Sequence, residues 1–229
     1  MLHRFHLLER WNLFLYFSFM PESIFLEENN LYHIYNRGNG GLNIFFQERN
    51  YEYFLRKYDE YISPFAETYA FCLMPNHFHL LIRIKPYAAF PAMQQIPSFG
   101  KMESVMSQQF RRLFISYSMS INKQEERSGS LFQKNFRRKE VDSEEYFTRL
   151  VYYIHTQPSH HGFRHIDDRD YPWSSYGRIL GGQMASFQKM PSVALMKKEV
   201  LDWFGGKEHY QKFHEQAQNL KEIKHLVLE

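Results

Sequence analysis

Two apolar runs meeting at Pro75-Asn76 constrain the fold of this chain more than any other feature. "TYAFCLMP", Thr68 to Pro75, and "HFHLLIRI", His77 to Ile84, both read as strands, and proline stops the first. The link between them is so short that they form a hairpin or a tight corner. Strands this apolar belong in a core, yet the second carries His77 and His79 one residue apart. Side chains alternate along a strand, so the two imidazoles leave one face, while Phe78 and Leu80 leave the other, packed face.

The rest of the chain arranges itself around this pair. "LYHIYNRG", Leu31 to Gly38, is a further strand that ends at a glycine. Tyr51, Phe54, Leu55, Tyr58 and Ile62 recur at helical spacing and predict a helix over Gln47–Ile62. Met102, Met106, Phe110 and Leu113-Phe114 do the same for Phe99–Asn122, and "RSGS" marks the turn after it. Leu131 to Val141 reads as extended. Asp142, followed three residues on by Glu145, has the pattern of a capping box opening another helix, and Pro158 marks its end. The order strand–helix–strand–strand–helix–strand–helix predicts an α+β fold of ferredoxin-like or RRM-like type. It has an antiparallel sheet with helices on one face and an added helix. Many functions use this fold, so it decides none of them.

Three regions follow: an extension over residues 1–20, a domain over 21–181, and a helical tail over 182–229 with two helical patterns around Gly205-Gly206. The apolar stretch Trp11–Met20 is too short to span a bilayer, and no small-residue cleavage site follows it. It reads either as a packed appendage or as the product of an upstream start codon, with the domain beginning near Met20-Pro21. A length of 229 residues suffices for one sizeable core. Cys72 is the only cysteine, which rules out an internal disulfide and fits a reducing cytoplasm. A net charge of +3 is by itself a weak pointer to nucleic acid.

Two imidazoles on one strand face can turn toward one divalent cation, or can simply be polar residues on a half-exposed face. On the last helix Arg149, Tyr153 and Gln157 fall at i, i+4 and i+8, on one side, while Phe147, Leu150, Val151 and Ile154 form the apolar side. Tyr153 therefore points with the basic and amide groups, unless it is only an aromatic at the edge of the packing stripe. Tyr152 is rotated from it by about 100° and cannot share its role. Gln157 offers a neutral oxygen one turn beyond the tyrosine. Arg137, Arg138 and Lys139 cluster on the extended segment, with Lys134 close by. They suit either a phosphate track or the charged edge that protects a sheet from aggregation. His33, His160, His161 and His165 have no assigned role.

Taken in order, "YHIYNRG", "CLMPNHFHLLI", "GSLFQKNF", "YIHTQP" and "YPWSSY" resemble the HUH-type single-tyrosine transposases, and within them the REP-associated branch of the insertion-sequence transposases. The resemblance covers roughly Leu31 to Gly181. It implies a divalent metal, Mg²⁺ or Mn²⁺, held by His77, His79 and Gln157, the last standing where this branch often has asparagine. It implies Tyr153 as the nucleophile that forms a 5′-phosphotyrosine in single-stranded, hairpin-containing DNA. Arg37-Gly38 and the run Lys134–Lys139 fall where such proteins contact DNA, and Arg149 stands one turn before the tyrosine. Relatives act as monomers or as homodimers, and no membrane is involved.

Three function classes follow. One is a single-strand nickase and strand-transferase. A second is a module stacking unpaired bases on aromatics exposed on the His77/His79 face of the sheet. A third is an inactive relative that only binds its hairpin.

Overall fold

The computed structural model describes residues 25–91, 101–163, 166–181 and 193–216, with backbone only for 101–104. The extension over residues 1–20, the stretch 182–192, His165 and the end of the tail after 216 lie outside these segments. Four strands, β1 (Leu31–Arg37), β2 (Ala66–Met74), β3 (His77–Ile84) and β4 (Arg137–Val141), form one sheet in the order β2-β3-β1-β4. All neighbours are antiparallel. With α1 (Glu48–Tyr61) after β1 and α2 (Lys101–Gln124) after β3, the connectivity is the expected ferredoxin-like one.

Alternation along β3 explains how the layers form. Phe78 turns toward the two long helices, its ring 5.3 Å from Phe54 of α1 and 5.8 Å from Phe114 of α2. Tyr117 closes the same layer, 5.2 Å from Phe54. The opposite face, where the imidazoles emerge, is covered by α3 (Glu144–His155). Cover on both sides leaves β2 and β3 buried almost throughout, as near-continuous apolar strands should be.

Two local expectations are corrected. Regular strand occupies only Arg137–Val141, not all of Leu131–Val141. Asn135 takes a left-handed φ of 59°, which interrupts extended backbone, and Phe132 makes only an isolated bridge to Gly38. The cap of α3 is Ser143, not Asp142. Its side chain accepts the Tyr146 amide at 3.3 Å, so the helix starts one residue later than a box with Glu145 requires. Glu144 and Glu145 instead lie in the first turn, where the helix dipole favours acids.

α3 ends at His155, and a short turn, α4 (Gln157–His160), carries Pro158. Beyond it come α5 (Tyr176–Ile179), α6 (Lys197–Trp203) and α7 (Lys207–Gln216). Residues 193–216 pack on β2 and α3. The Met196 amide donates to Thr68 O at 2.9 Å, Tyr69 donates to Glu199 at 2.5 Å, and Trp203 lies 4.4 Å from Phe147.

Gly38 ends β1 for a steric reason. A Cβ there would stand 1.8 Å from Leu42 O, a backbone atom that cannot step aside. The close approach lets the Gly38 amide donate to Asn76 O at 2.7 Å, which ties the end of β1 to the β2–β3 turn beside His77.

Candidate active site

The register of the sheet places the candidate residues. Opposed residues on neighbouring strands share a face. Arg37 lies opposite His77 and Tyr35 opposite His79, while β4 sets Arg137 opposite Tyr35 and Lys139 opposite His33. Thus His33, Tyr35, Arg37, His77, His79, Arg137 and Lys139 all belong to the face that α3 crosses.

α3 and α4 bring the remaining groups. Tyr153 stands edge-on to His79, with ring centroids 5.2 Å apart at 81°, and edge-on to His33 at 6.3 Å. Gln157 Oε1 lies 3.1 Å from His77 Nε2. The Gln157 amide nitrogen donates to Tyr153 O at 3.1 Å, which fixes the carbonyl end toward the imidazole. One helical turn therefore positions the phenol and the amide together. Helical spacing set Tyr153 outside the core. In the structure it is buried, at 6% exposure, because the imidazole face is itself covered by α3. Tyr152 looks the other way, toward His214 at 5.6 Å and Phe213 at 6.1 Å.

The hydrogen-bond pattern tests whether these residues suit a cation. His77 Nδ1 faces Asn76 Oδ1 at 2.7 Å, an acceptor, so in this amide orientation Nδ1 carries a proton. In the neutral ring Nε2 is then a lone pair, and it meets another acceptor, Gln157 Oε1. Either an Nε2 proton, with the Asn76 amide turned to donate to Nδ1, or a cation between Nε2 and Gln157 Oε1 accounts for both contacts. Ligands held at about 2.1 Å and a right angle stand about 3.0 Å apart, close to the observed separation. His79 Nε2 is buried with no hydrogen-bond partner, and the His79 ring centroid lies 5.2 Å from that of His77. Burial pushes the His79 pKa well below the usual histidine range, with His33, His77 and His161 adding to the effect, so its ring is neutral, as a ligand must be. Among the described residues no three His, Cys, Asp or Glu side chains gather as ligands. A cation here would rest on two imidazoles and one amide oxygen, and the donor set fits it.

Other predicted residues distribute around this centre. Arg149 forms an ion pair with Glu145 at 2.5 Å. Arg37, Lys134, Arg137 and Lys139 are exposed and Arg138 is half-buried. Arg138 stacks on Phe136 at 5.5 Å, and Lys139 lies over Tyr146 at 4.8 Å. His160 and His161 are exposed yet flank the site, 6.3 Å from Tyr153 and 4.5 Å from His77 respectively.

Sequence reasoning passed over His33 and Tyr35. His33 is buried and lies 2.9 Å from His79, and Tyr35 stacks 5.7 Å from His79. The period-two pattern His33–Tyr35–Arg37, which matches that of His77–His79, was the available signal.

No family model and no curated protein matches the chain. Among solved structures, the fold is similar to that of a REP-associated tyrosine transposase bound to a REP hairpin. The two share 13% sequence identity at a TM-score of 0.50, over 71% of this chain and 85% of that one. At this identity the likeness is one of fold.

Proposed function

We propose that the chain is a tyrosine-dependent DNA endonuclease and strand-transferase of transposase type, acting on single-stranded DNA that carries a hairpin. The observation that supports this best is the packing of the Tyr153 ring against His79, 5.2 Å between centroids, with Gln157 Oε1 3.1 Å from Nε2 of His77 on the same strand. The neighbouring fold, solved with a hairpin, points the same way.

In this reading His77, His79 and Gln157 would hold Mg²⁺ or Mn²⁺, which would supply positive charge beside the phosphate and make phosphorus more electrophilic. The Tyr153 hydroxyl attacks phosphorus. The bond to the 3′ oxygen breaks, the DNA stays on Tyr153 as a 5′-phosphotyrosine, and the phenol proton passes to the departing 3′ oxygen. The phosphodiester energy is conserved in the tyrosyl ester, so the reverse attack rejoins strands without ATP.

The DNA reaches this point along a groove of about 1390 Å³ that runs beside β4. Its wall includes Arg111, Lys134, Arg137, Arg138 and Lys139, and among the described residues no Asp or Glu lines it. Phe114, Ile115 and Phe136 supply apolar surface for bases, and His33 and Tyr35 lie where the groove meets the site. The base-stacking module has less surface than it requires, because α3 covers β2 and β3 on that sheet face, while Tyr35 on β1 stays half-buried beside the groove.

The test is incubation with a hairpin-DNA library and Mn²⁺. The native chain should cut and form a covalent adduct. Tyr153→Phe should bind and do neither, Tyr152→Phe should do both, and His77→Ala should lose most of the rate. Failure of the native chain across the library would favour a hairpin-binding relative without chemistry.

A further inference from the structure

His33 touches none of the proposed ligand positions except through His79, and that contact is specific. His33 Nε2 and His79 Nδ1 are 2.9 Å apart, with the two rings inclined by only 23°. Imidazole N–H bonds and lone pairs lie in the ring plane, so near-coplanar rings at this distance share one proton along the line between them. Both rings are buried, at 4% and 2% exposure. Tyr35 stacks on His33 at 4.6 Å and prevents it from turning away.

The proton has two places to be. If it sat on His33, His79 would accept through Nδ1, and its own proton would be on Nε2. That N–H would be buried with no acceptor, because His79 Nε2 has no partner. Orphaned buried N–H groups are rarer than under-satisfied acceptors. If the proton sits on His79 Nδ1, His33 accepts it, and His79 Nε2 becomes a bare lone pair beside His77, whose ring centroid is 5.2 Å away, and Tyr153.

We infer that His33 is a positioning residue, which accepts the Nδ1 proton of His79 and thereby locks His79 in the tautomer and orientation whose Nε2 can bind a divalent cation. This role rests on the proposed cation site. A ligating histidine ordinarily gives its second N–H to a carboxylate, a carbonyl or water. Here a second imidazole on the neighbouring strand takes that place, so the acceptor is neutral and adds no charge to the site.

Two measurements test it. In the metal-free native protein, long-range ¹H–¹⁵N correlation should show His79 protonated on Nδ1 and bare on Nε2, and His33 bare on Nε2. A protonated His79 Nε2 would overturn the inference. This readout needs neither metal nor DNA, so it stands even if the native chain forms no adduct, an outcome that would instead remove the enzymatic reading. The second measurement is Mn²⁺ affinity by electron paramagnetic resonance without DNA. His33→Phe keeps a ring against Tyr35 but removes the acceptor, and should weaken binding by about 10- to 100-fold. His33→Gln returns an acceptor oxygen to the same region and should recover most of the loss. Native affinity in His33→Phe, or an equal loss in His33→Gln, would show that only packing is at stake.

Discussion

Gln157 shows how much one side chain can fix. Its amide nitrogen is anchored on Tyr153 O, and its oxygen then has a single direction, toward His77. Gln157→Leu is close in shape but has neither group. It should weaken Mn²⁺ binding and slow adduct formation by at least about tenfold, the smallest cost usual for disturbing a metal shell. Thermal unfolding should move only slightly, and a large drop in melting temperature with unchanged Mn²⁺ affinity would reduce Gln157 to a packing residue. Spacing set His77 with His79 and Tyr153 with Gln157 on shared faces, and the resemblance, not the spacing, singled them out as a site. The sequence did not expose His33, whose meaning arises from a cross-strand neighbour forty-six positions away. Nor did it reveal that Tyr153 would be covered. In the proposed reaction the phosphate has to reach the seam between α3 and β3.

At the level of elements, α3 carries Tyr153, the proposed nucleophile, and is held at both ends. Ser143 caps its start, and its last residue, His155, enters a buried network. His155 Nδ1 lies 3.1 Å from His214 Nε2 and 3.0 Å from the Tyr210 hydroxyl, and its Nε2 lies 2.8 Å from Ser175 Oγ. Ser175 Oγ also accepts the Phe71 amide at 2.8 Å, so α7, α3 and β2 are joined through one histidine. Burial pushes His155 well below the usual histidine range and lowers His214 to about 4. Above pH 6.5 both rings are neutral whether the chain is folded or not, and they contribute no pH dependence. Below 6.5 the unfolded chain takes up protons that the folded chain refuses, so stability falls with pH. For His214 it continues to fall until about pH 4. Each such histidine contributes a slope of about 1.4 kcal/mol per pH unit in that window. Urea unfolding at pH 7.5 and pH 5 should show the loss, and His214→Phe should flatten part of it. Equal stability at the two pH values would mean that these rings are not held neutral. The strands and long helices were legible because each carries its own period. The docking of residues 193–216 was not, since nothing in a helical pattern names the surface it will cover. The cap of α3 was misread by one residue because Asp142 and Ser143 are both good capping residues, and only the backbone decides between them.

Over the whole molecule, charge is arranged rather than abundant. The net charge of +3 conceals a groove whose wall carries five cations. Arg137 and Lys139 face the site side of the sheet through the β4 register, which is where the proposed DNA path would need them. Replacing Arg137, Arg138 and Lys139 together by alanine should weaken hairpin-DNA binding. It should also lower the slope of log affinity against log salt by about 0.7 for each single-strand phosphate that is no longer neutralised. An unchanged slope would return these residues to the role of a charged sheet edge. No helix among the described residues is long and apolar enough to cross a membrane.

The central claim is that Tyr153 is the group to which DNA becomes attached. The most direct measurement is to trap the adduct with hairpin DNA and Mn²⁺, digest it, and identify the nucleotide-bearing peptide by mass spectrometry. The expected result is a 5′-phosphate linked to the tyrosine oxygen of the peptide containing "YYIHTQP", with fragmentation placing it on Tyr153 and no such peptide from Tyr153→Phe. An adduct on Tyr152 or on any other residue, or one that persists in Tyr153→Phe, would contradict it.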